Sequence, residues 1–90
     1  LNPQFAIAYN NRGLAYANKG DYDRAITDYD EAIRFNSQHA NAYNNRGTAY
    51  ADKGEYDRAI ADYDHALTID PNYDHARNNR ERAMWRKRGS

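Results

Sequence analysis

Apolar residues recur at helical spacing in five segments of the chain. In the first segment Tyr9 and Tyr16 are seven residues apart and therefore share one helix face. Lys19-Gly20 follows as a cationic last turn and a C-terminal stop. The pattern predicts an all-α chain. Its helices are expected at about 6–19, 22–35, 40–53, 56–69 and 74–87.

The helical pattern itself repeats with a period of 34 residues. Residues 40–47 match residues 6–13 except at one position. Aligning 6–39 with 40–73 gives 21 identities in 34 positions. A fixed period of this length is typical of stacked repeat proteins, in which each unit buries its apolar face against the next. The sequence therefore predicts a helical solenoid of about five helices and not a globular enzyme.

Small residues and tyrosines hold fixed places within the repeat. Glycines at 13 and 47, with alanines at 25, 32, 59 and 66, remove bulk where helices are expected to cross closely. Eight of the nine tyrosines recur at 9, 16, 22 and 29 and again at 43, 50, 56 and 63. Their helical spacing favours core and shoulder positions over a ligand-binding aromatic box.

This set of residues resembles the tetratricopeptide repeat, whose 34-residue unit carries aromatic residues, glycines, alanines and a closing proline at set offsets. The matching residues are Tyr9, Gly13, Tyr16, Gly20, Tyr22, Ala25, Tyr29 and Ala32, then Tyr43, Gly47, Tyr50, Gly54, Tyr56, Ala59, Tyr63, Ala66 and Pro71. The resemblance covers residues 1 to about 88 and implies a right-handed superhelix of helix-turn-helix units. Ser37 departs from it, standing where proline is usual.

The chain is predicted to be one small domain cut from a larger parent. Residues 1–5 align with 69–73 and are interpreted as the tail of a preceding repeat, followed by repeats at 6–39 and 40–73. Residues 74–88 keep the register of a first helix but carry Arg77, Glu81 and Met84 at tyrosine and glycine positions, which is typical of a terminal capping helix. Residues 89–90 are either native sequence or a cloning remnant, and no function is assigned to them.

Two arginines stand where the family often has leucine. We expect Arg12 to pair with Asp28, and Arg46 with Asp62, because each arginine faces the other helix of its hairpin at a similar height. The alternative is that the aliphatic stem packs while the guanidinium reaches water. Neither arrangement implies catalysis.

The first helix of each tetratricopeptide unit lines a concave surface, so the resemblance implies a peptide-binding groove on helices 6–19, 40–53 and 74–87. The candidate binding residues are Asn10, Asn11, Leu14, Asn44, Asn45, Thr48, Asn78, Asn79 and Arg82. Asparagine disfavours helix interiors, so its triple repetition calls for a reason. The amides are predicted either to hydrogen-bond an extended peptide or to bond between helices.

Chaperone-tail binding in this family uses a clamp for the terminal carboxylate. The clamp takes lysine, asparagine, asparagine, lysine and arginine. The aligned positions here are Asn10, Leu14, Asn45, His75 and Asn79, of which only Asn45 fits. The sequence therefore disfavours chaperone tails as ligands of this segment.

Charge suggests one further partner class. Thirteen basic and thirteen acidic residues cancel overall, but the last helix carries a cluster of basic residues. Trp85 lies between members of this cluster in the sequence. The cluster consists of Arg77, Arg80, Arg82, Arg86, Lys87 and Arg88. A solvated capping face is the ordinary explanation, and binding of nucleic acid or an acidic partner is the weaker alternative. Self-association through an uncovered end of the array is a third.

Catalysis, cofactors and metals find little support in the sequence. His39, His65 and His75 lack metal-ligand spacing, and no phosphate-binding glycine motif is present. The aspartates at 28, 30, 62 and 64 are interpreted as solvated charge and not as a catalytic pair. Without cysteine or a bilayer-length apolar run, we expect a soluble, non-enzymatic interaction scaffold with no membrane contact, and the cytoplasm as its compartment.

Overall fold

A computed structural model describes residues 2–89, and within that range the chain forms five α-helices and no strand. They are α1 (Pro3–Asn18), α2 (Tyr22–Phe35), α3 (Ala40–Asp52), α4 (Tyr56–Ile69) and α5 (Asp74–Gly89). The predicted all-α class and the five predicted helices are confirmed. Leu1 and Ser90 lie outside the described residues, so the assignments made to them have no structural counterpart here.

Helix α1 begins three residues earlier than the sequence pattern indicated. Pro3 takes the first helical position, where its missing N–H costs nothing, and Oδ1 of Asn2 accepts a hydrogen bond from the Gln4 backbone N–H at 2.9 Å. The same contact recurs 34 and 68 residues later, from Gln38 to Asn36 at 3.0 Å and from Asn72 to Asp70 at 3.1 Å. Residues 2–4 therefore share a local turn with the two later repeat boundaries.

Glycine ends the first helix of each hairpin. Gly20 and Gly54 have φ angles of 81° and 84°, in the left-handed region that a side chain disfavours. The backbone N–H of Asp21 then donates to the Tyr16 carbonyl, and that of Glu55 to the Tyr50 carbonyl, both at 2.9 Å. These bonds satisfy helix-end carbonyls and reverse the chain into the second helix.

Tyrosine packs directly on glycine in each hairpin. A Cβ added to Gly13 would lie 2.7 Å from Cε1 of Tyr29, and one added to Gly47 would lie 2.9 Å from Cε1 of Tyr63. Both tyrosines are fully or almost fully buried. The missing side chain at each glycine thus leaves room for the tyrosine ring of the paired helix.

The remaining core consists mostly of alanines. Fully buried alanines stand at 6, 25, 32, 42, 59, 66 and 76, where the helices meet. Consecutive helices pack against each other, and the first helices also contact across the hairpins, α1 with α3 and α3 with α5. The molecule measures 41 × 29 × 16 Å. The exposed sides of α1, α3 and α5, called the first-helix face below, thus run side by side.

Candidate functional site

The asparagines of α1 and α3 bond to one another between the helices. Asn10 is 6% exposed and donates from Nδ2 to Asn41 Oδ1 at 2.9 Å. Its own Oδ1 accepts from Nδ2 of Asn45 at 3.0 Å. The Asn10 amide therefore has partners on both sides, and it ties α1 to α3.

The same arrangement joins α3 to α5 one repeat later. Asn44 is 7% exposed, and its Oδ1 accepts from Asn79 Nδ2 at 3.1 Å. Its own Nδ2 points to the Tyr73 hydroxyl at 3.5 Å, and Asn41 donates to that hydroxyl at 2.7 Å. Asn41 and Tyr73 thus complete one hydrogen-bond network across three helices. Neither was among the predicted site residues.

Asn11 and Asn78 remain exposed for a geometric reason. The second asparagine of each pair bonds to the helix before it, and the first asparagine to the helix after it. Among the described residues no first helix lies before α1 or after α5. Of the two roles predicted for the amides, interhelical bonding is therefore the observed one at Asn10 and Asn44.

Both predicted arginine pairs form, each as a two-point contact. Arg12 donates from Nε and Nη2 to Asp28 at 2.7 Å each. Arg46 donates from Nε to one oxygen of Asp62 at 2.9 Å and from Nη2 to the other at 2.7 Å. Arg46 also donates from Nη1 to Asp30 on the preceding hairpin at 2.9 Å, and its hydrogen bond to Asp62 raises the pKa of Arg46.

The interpretation of the four aspartates at 28, 30, 62 and 64 as solvated charge is wrong for Asp28 and Asp62. Asp28 and Asp62 are 3% and 6% exposed and are held by the arginine forks. Asp30 and Asp64 are half-exposed and bond to Arg46 and Arg80 of the next first helix. The two aspartates of α2 are two residues apart, as are those of α4. In each helix one carboxylate therefore lies inside its own hairpin, and the other faces the next repeat. The contacts of Asp30 and Asp64 with the next repeat were not predicted from the sequence.

One row of exposed side chains crosses the first-helix face. Leu14, Thr48 and Arg82 are 34 residues apart and occupy the same position on α1, α3 and α5. The row changes from apolar through hydroxyl to cationic. No other set of predicted groove residues combines equivalent positions, exposure and three different chemistries.

A polar pocket opens beside the cationic end of this row. It is lined by Thr48, Ala51, Asp52, Tyr63, Asn79, Arg82, Ala83 and Arg86. Three of these, Thr48, Asn79 and Arg82, are predicted site residues that the structure brings together. Asp52, Tyr63 and Arg86 were not among the predicted groove residues, because their convergence depends on how α3, α4 and α5 pack.

The pocket floor differs between the two repeats. The Thr48 hydroxyl donates to the Asn44 carbonyl at 3.1 Å and lies 3.0 Å from the Tyr63 hydroxyl, which therefore donates to it. One repeat earlier Leu14 replaces threonine, and the buried Tyr29 hydroxyl has no hydrogen-bond partner among the described residues. Burial raises the pKa of Tyr29 to about 12, and burial also raises the pKa of Tyr63.

The basic cluster of α5 is partly neutralised. Arg77 bonds to Asp74 at 2.6 Å, and Lys87 bonds to Asp57 at 2.5 Å. Arg80 is engaged by Asp64. Arg77, Arg80 and Lys87 thus have acidic partners, and Trp85 is 72% exposed beside them. Within residues 2–89 no group of three or more acidic or histidine side chains is placed to hold a metal ion.

None of the described helices is both long enough and apolar enough to cross a bilayer.

A layered array of helix hairpins with a shared face is the architecture of a helical-repeat scaffold. The family model described as tetratricopeptide repeat matches residues 1–40 and 10–74. The chain belongs to the tetratricopeptide repeat family. A comparison with curated proteins found no significant match.

Several solved structures share this fold. The second repeat domain of Spaghetti (RPAP3), bound to the HSP90 peptide SRMEEVD, is 32% identical with a TM-score of 0.89, over 91% of this chain and 76% of that one. The TPR2AB domain of yeast Sti1 in complex with pHSP90 is 32% identical with a TM-score of 0.90, over 93% and 33%. The second repeat domain of human RPAP3 with the HSP70 peptide SGPTIEEVD is 31% identical with a TM-score of 0.87, over 91% and 69%.

Proposed function

We propose that this chain is a non-catalytic scaffold that binds a peptide or protein segment in the groove formed by the first-helix face. The observation that carries the proposal is the row of Leu14, Thr48 and Arg82. It presents apolar, hydroxyl and cationic groups in line across three helices. Such a row suits an extended segment that contacts the helices one after another.

Related proteins support the choice of ligand class. Solved domains of Spaghetti, human RPAP3 and yeast Sti1 carry HSP90 or HSP70 peptides or are described as complexes with those chaperones. This chain differs at four of the five clamp positions, and the Asn10 amide is buried and bonded. A peptide is therefore the proposed ligand, and a terminal carboxylate held at the clamp positions is not.

Fewer residues are proposed to contact the ligand than the sequence predicted. The buried asparagines hold the helices together, so the exposed side chains Asn11, Leu14, Thr48, Asn78 and Arg82 form the proposed surface. Asn45 and Asn79 are half-buried and each retains amide surface at the edge of the network.

Selection from a random peptide library tests the proposal. Twelve-residue peptides, displayed between two carrier segments, are selected on the wild-type chain. The strongest binder is then titrated into isotope-labelled protein, and the backbone amide shifts are mapped. We expect the largest shifts in α1, α3 and α5, at the exposed row.

A matched pair of variants locates the binding further. Leu14→Gln removes an apolar side chain from the row and is expected to weaken binding about tenfold, equivalent to about 1.4 kcal/mol. Met84→Gln makes the same kind of change at another exposed apolar side chain, on α5. It is expected to leave binding unchanged. Failure to select any peptide, or shifts confined to α2 and α4, would overturn the proposal.

The basic helix α5 would become the leading alternative under one specific result. In that result the chain selects no peptide but binds a labelled single-stranded oligonucleotide, with an affinity that falls steeply as the salt concentration rises. Sedimentation at several protein concentrations tests the self-association alternative in parallel.

A further inference from the structure

The pocket beside Arg82 has hydrogen-bond donors in excess of those that the fold uses. The Thr48 hydroxyl already donates to the Asn44 carbonyl and accepts from Tyr63, so its main bonding capacity is used. Asn79 uses one of its two Nδ2 hydrogens on Asn44. Arg82 brings five N–H donors and forms no ion pair within the described part of the chain.

The charges of the pocket agree with that donor excess. Arg82 and Arg86 line it together with a single acid, Asp52. The sum is one positive charge, which a single carboxylate neutralises. An arginine fork binds a carboxylate through two parallel hydrogen bonds, and partial enclosure strengthens such a contact relative to open water.

The opposite end of the first-helix face is apolar. Leu14 is 43% exposed, and Ile7, two helical turns before it on the same side of α1, is 55% exposed. Neighbouring packed helices lie about 8 to 10 Å apart, so α1 and α5 on either side of α3 are separated by roughly 16 to 20 Å. An extended chain covers about 3.3 Å per residue, so roughly five or six residues span that distance.

Resting on the proposed function, we propose that the groove selects an extended acidic segment: a Glu or Asp side chain enters the pocket at Arg82, while an apolar side chain roughly five or six residues away packs on Leu14. The recognised acid is an internal side chain of the ligand. A free C-terminus is not required, since Arg82, the cation that meets the acid, does not stand at a clamp position.

The same peptide library tests this inference, because its peptides have no free C-terminus. Peptides selected on the wild-type chain should be enriched in Glu or Asp at one position and in an apolar residue five or six positions away. Selection on Arg82→Glu should lose the acidic position or replace it with Lys or Arg. Selection on Arg24→Glu, an equal charge change at an exposed arginine of α2, should give the wild-type pattern.

A pairwise measurement then isolates the contact. The strongest selected peptide is synthesised with an amidated C-terminus and with Glu, Gln or phosphoserine at the enriched position. Arg82→Gln should weaken the Glu peptide about tenfold and leave the Gln peptide unchanged. If the phosphoserine peptide binds more tightly than the Glu peptide, the pocket prefers a phosphoryl group to a carboxylate, and this assignment is overturned.

The outcomes separate this inference from the function on which it rests. Peptides that bind the first-helix face but show no acidic position, or that bind Arg82→Glu as tightly as wild type, would overturn the acidic pocket alone. A wild-type chain that selects no peptide would overturn both. Circular dichroism of Arg82→Glu controls for folding, and because Arg82 is exposed the helical signal should be unchanged.

Discussion

The hydroxyl of Tyr63 lies 3.0 Å from Oγ1 of Thr48, whereas Tyr29, its counterpart one repeat earlier, is buried with no such partner. The difference follows from one of the substitutions between the two repeats, because Leu14 stands at the position of Thr48. Two hairpins of the same architecture therefore differ in how well a buried polar group is satisfied.

Removing each hydroxyl should have unequal effects on stability. Tyr63→Phe breaks a hydrogen bond and should lower the free energy of unfolding by about 1 kcal/mol. Tyr29→Phe removes a buried hydroxyl that has no partner, and it should leave stability unchanged or raise it. Urea unfolding of the two variants makes the comparison. Equal losses would show that the Tyr29 hydroxyl is satisfied in solution.

His39 is expected to make the fold sensitive to mild acid. Its Nε2 is buried without a hydrogen-bond partner among the described residues, and burial lowers the pKa of His39. The folded state therefore favours the neutral ring. The corresponding stability is fully present above the unfolded pKa of about 6.5, and it is lost as the pH falls below that value.

Replacing His39 with tyrosine should flatten this dependence. Tyr73 occupies the equivalent position one repeat later, so the surroundings of position 39 resemble those of a tyrosine in the same fold. The free energy of unfolding is measured at pH 7.5, 6.5 and 5.5 in wild type and in His39→Tyr. Titration of every other group largely cancels between the two. Parallel curves would contradict the assignment to His39.

Arg46 should contribute more to stability than an exposed arginine. Arg46→Leu leaves the buried Asp62 without its cation and also breaks the contact to Asp30 on the preceding hairpin. We expect a loss of about 2 kcal/mol in the free energy of unfolding. In Arg34→Leu, which breaks an exposed pair with Glu31, the change should stay within about 0.5 kcal/mol. A melting temperature of Arg46→Leu at or above wild type would refute the pair's importance.

Neighbouring asparagines should respond differently to truncation. Asn10→Ala removes hydrogen bonds to Asn41 and Asn45 between helices, and a loss of about 1 to 3 kcal/mol is expected. Asn11→Ala alters an exposed side chain and replaces a weaker helix former, so stability should hold or rise slightly. Thermal unfolding distinguishes the two. Equal effects would mean that the network does not stabilise the packing of α1 on α3.

This contrast also governs how binding experiments are designed. Variants at Asn10 or Asn44 are expected to disturb the packing of the first helices, so lost binding in them would not locate a ligand. Leu14 and Arg82 are exposed and avoid that ambiguity.

The sequence by itself determined the helices, their order and the residues at which they pack closely. The helical spacing of apolar positions is a local property of the sequence. The same spacing occurs in both 34-residue repeats. The Arg46 to Asp62 pair was also predictable, because both residues belong to one hairpin of known geometry. The early start of α1 was not, since the Asn2 cap and Pro3 extend the helix into a segment that aligns with a turn.

The tertiary structure alone decided which polar residues face the protein and which face solvent. Asn10 and Asn11 are adjacent and chemically identical, yet one is buried between helices and the other is exposed. Likewise Tyr73 joins the asparagine network, and Arg82 meets Thr48 only where α3 and α5 come together. Burial and hydrogen-bond partners depend on contacts between residues about 30 positions apart, which local periodicity does not contain.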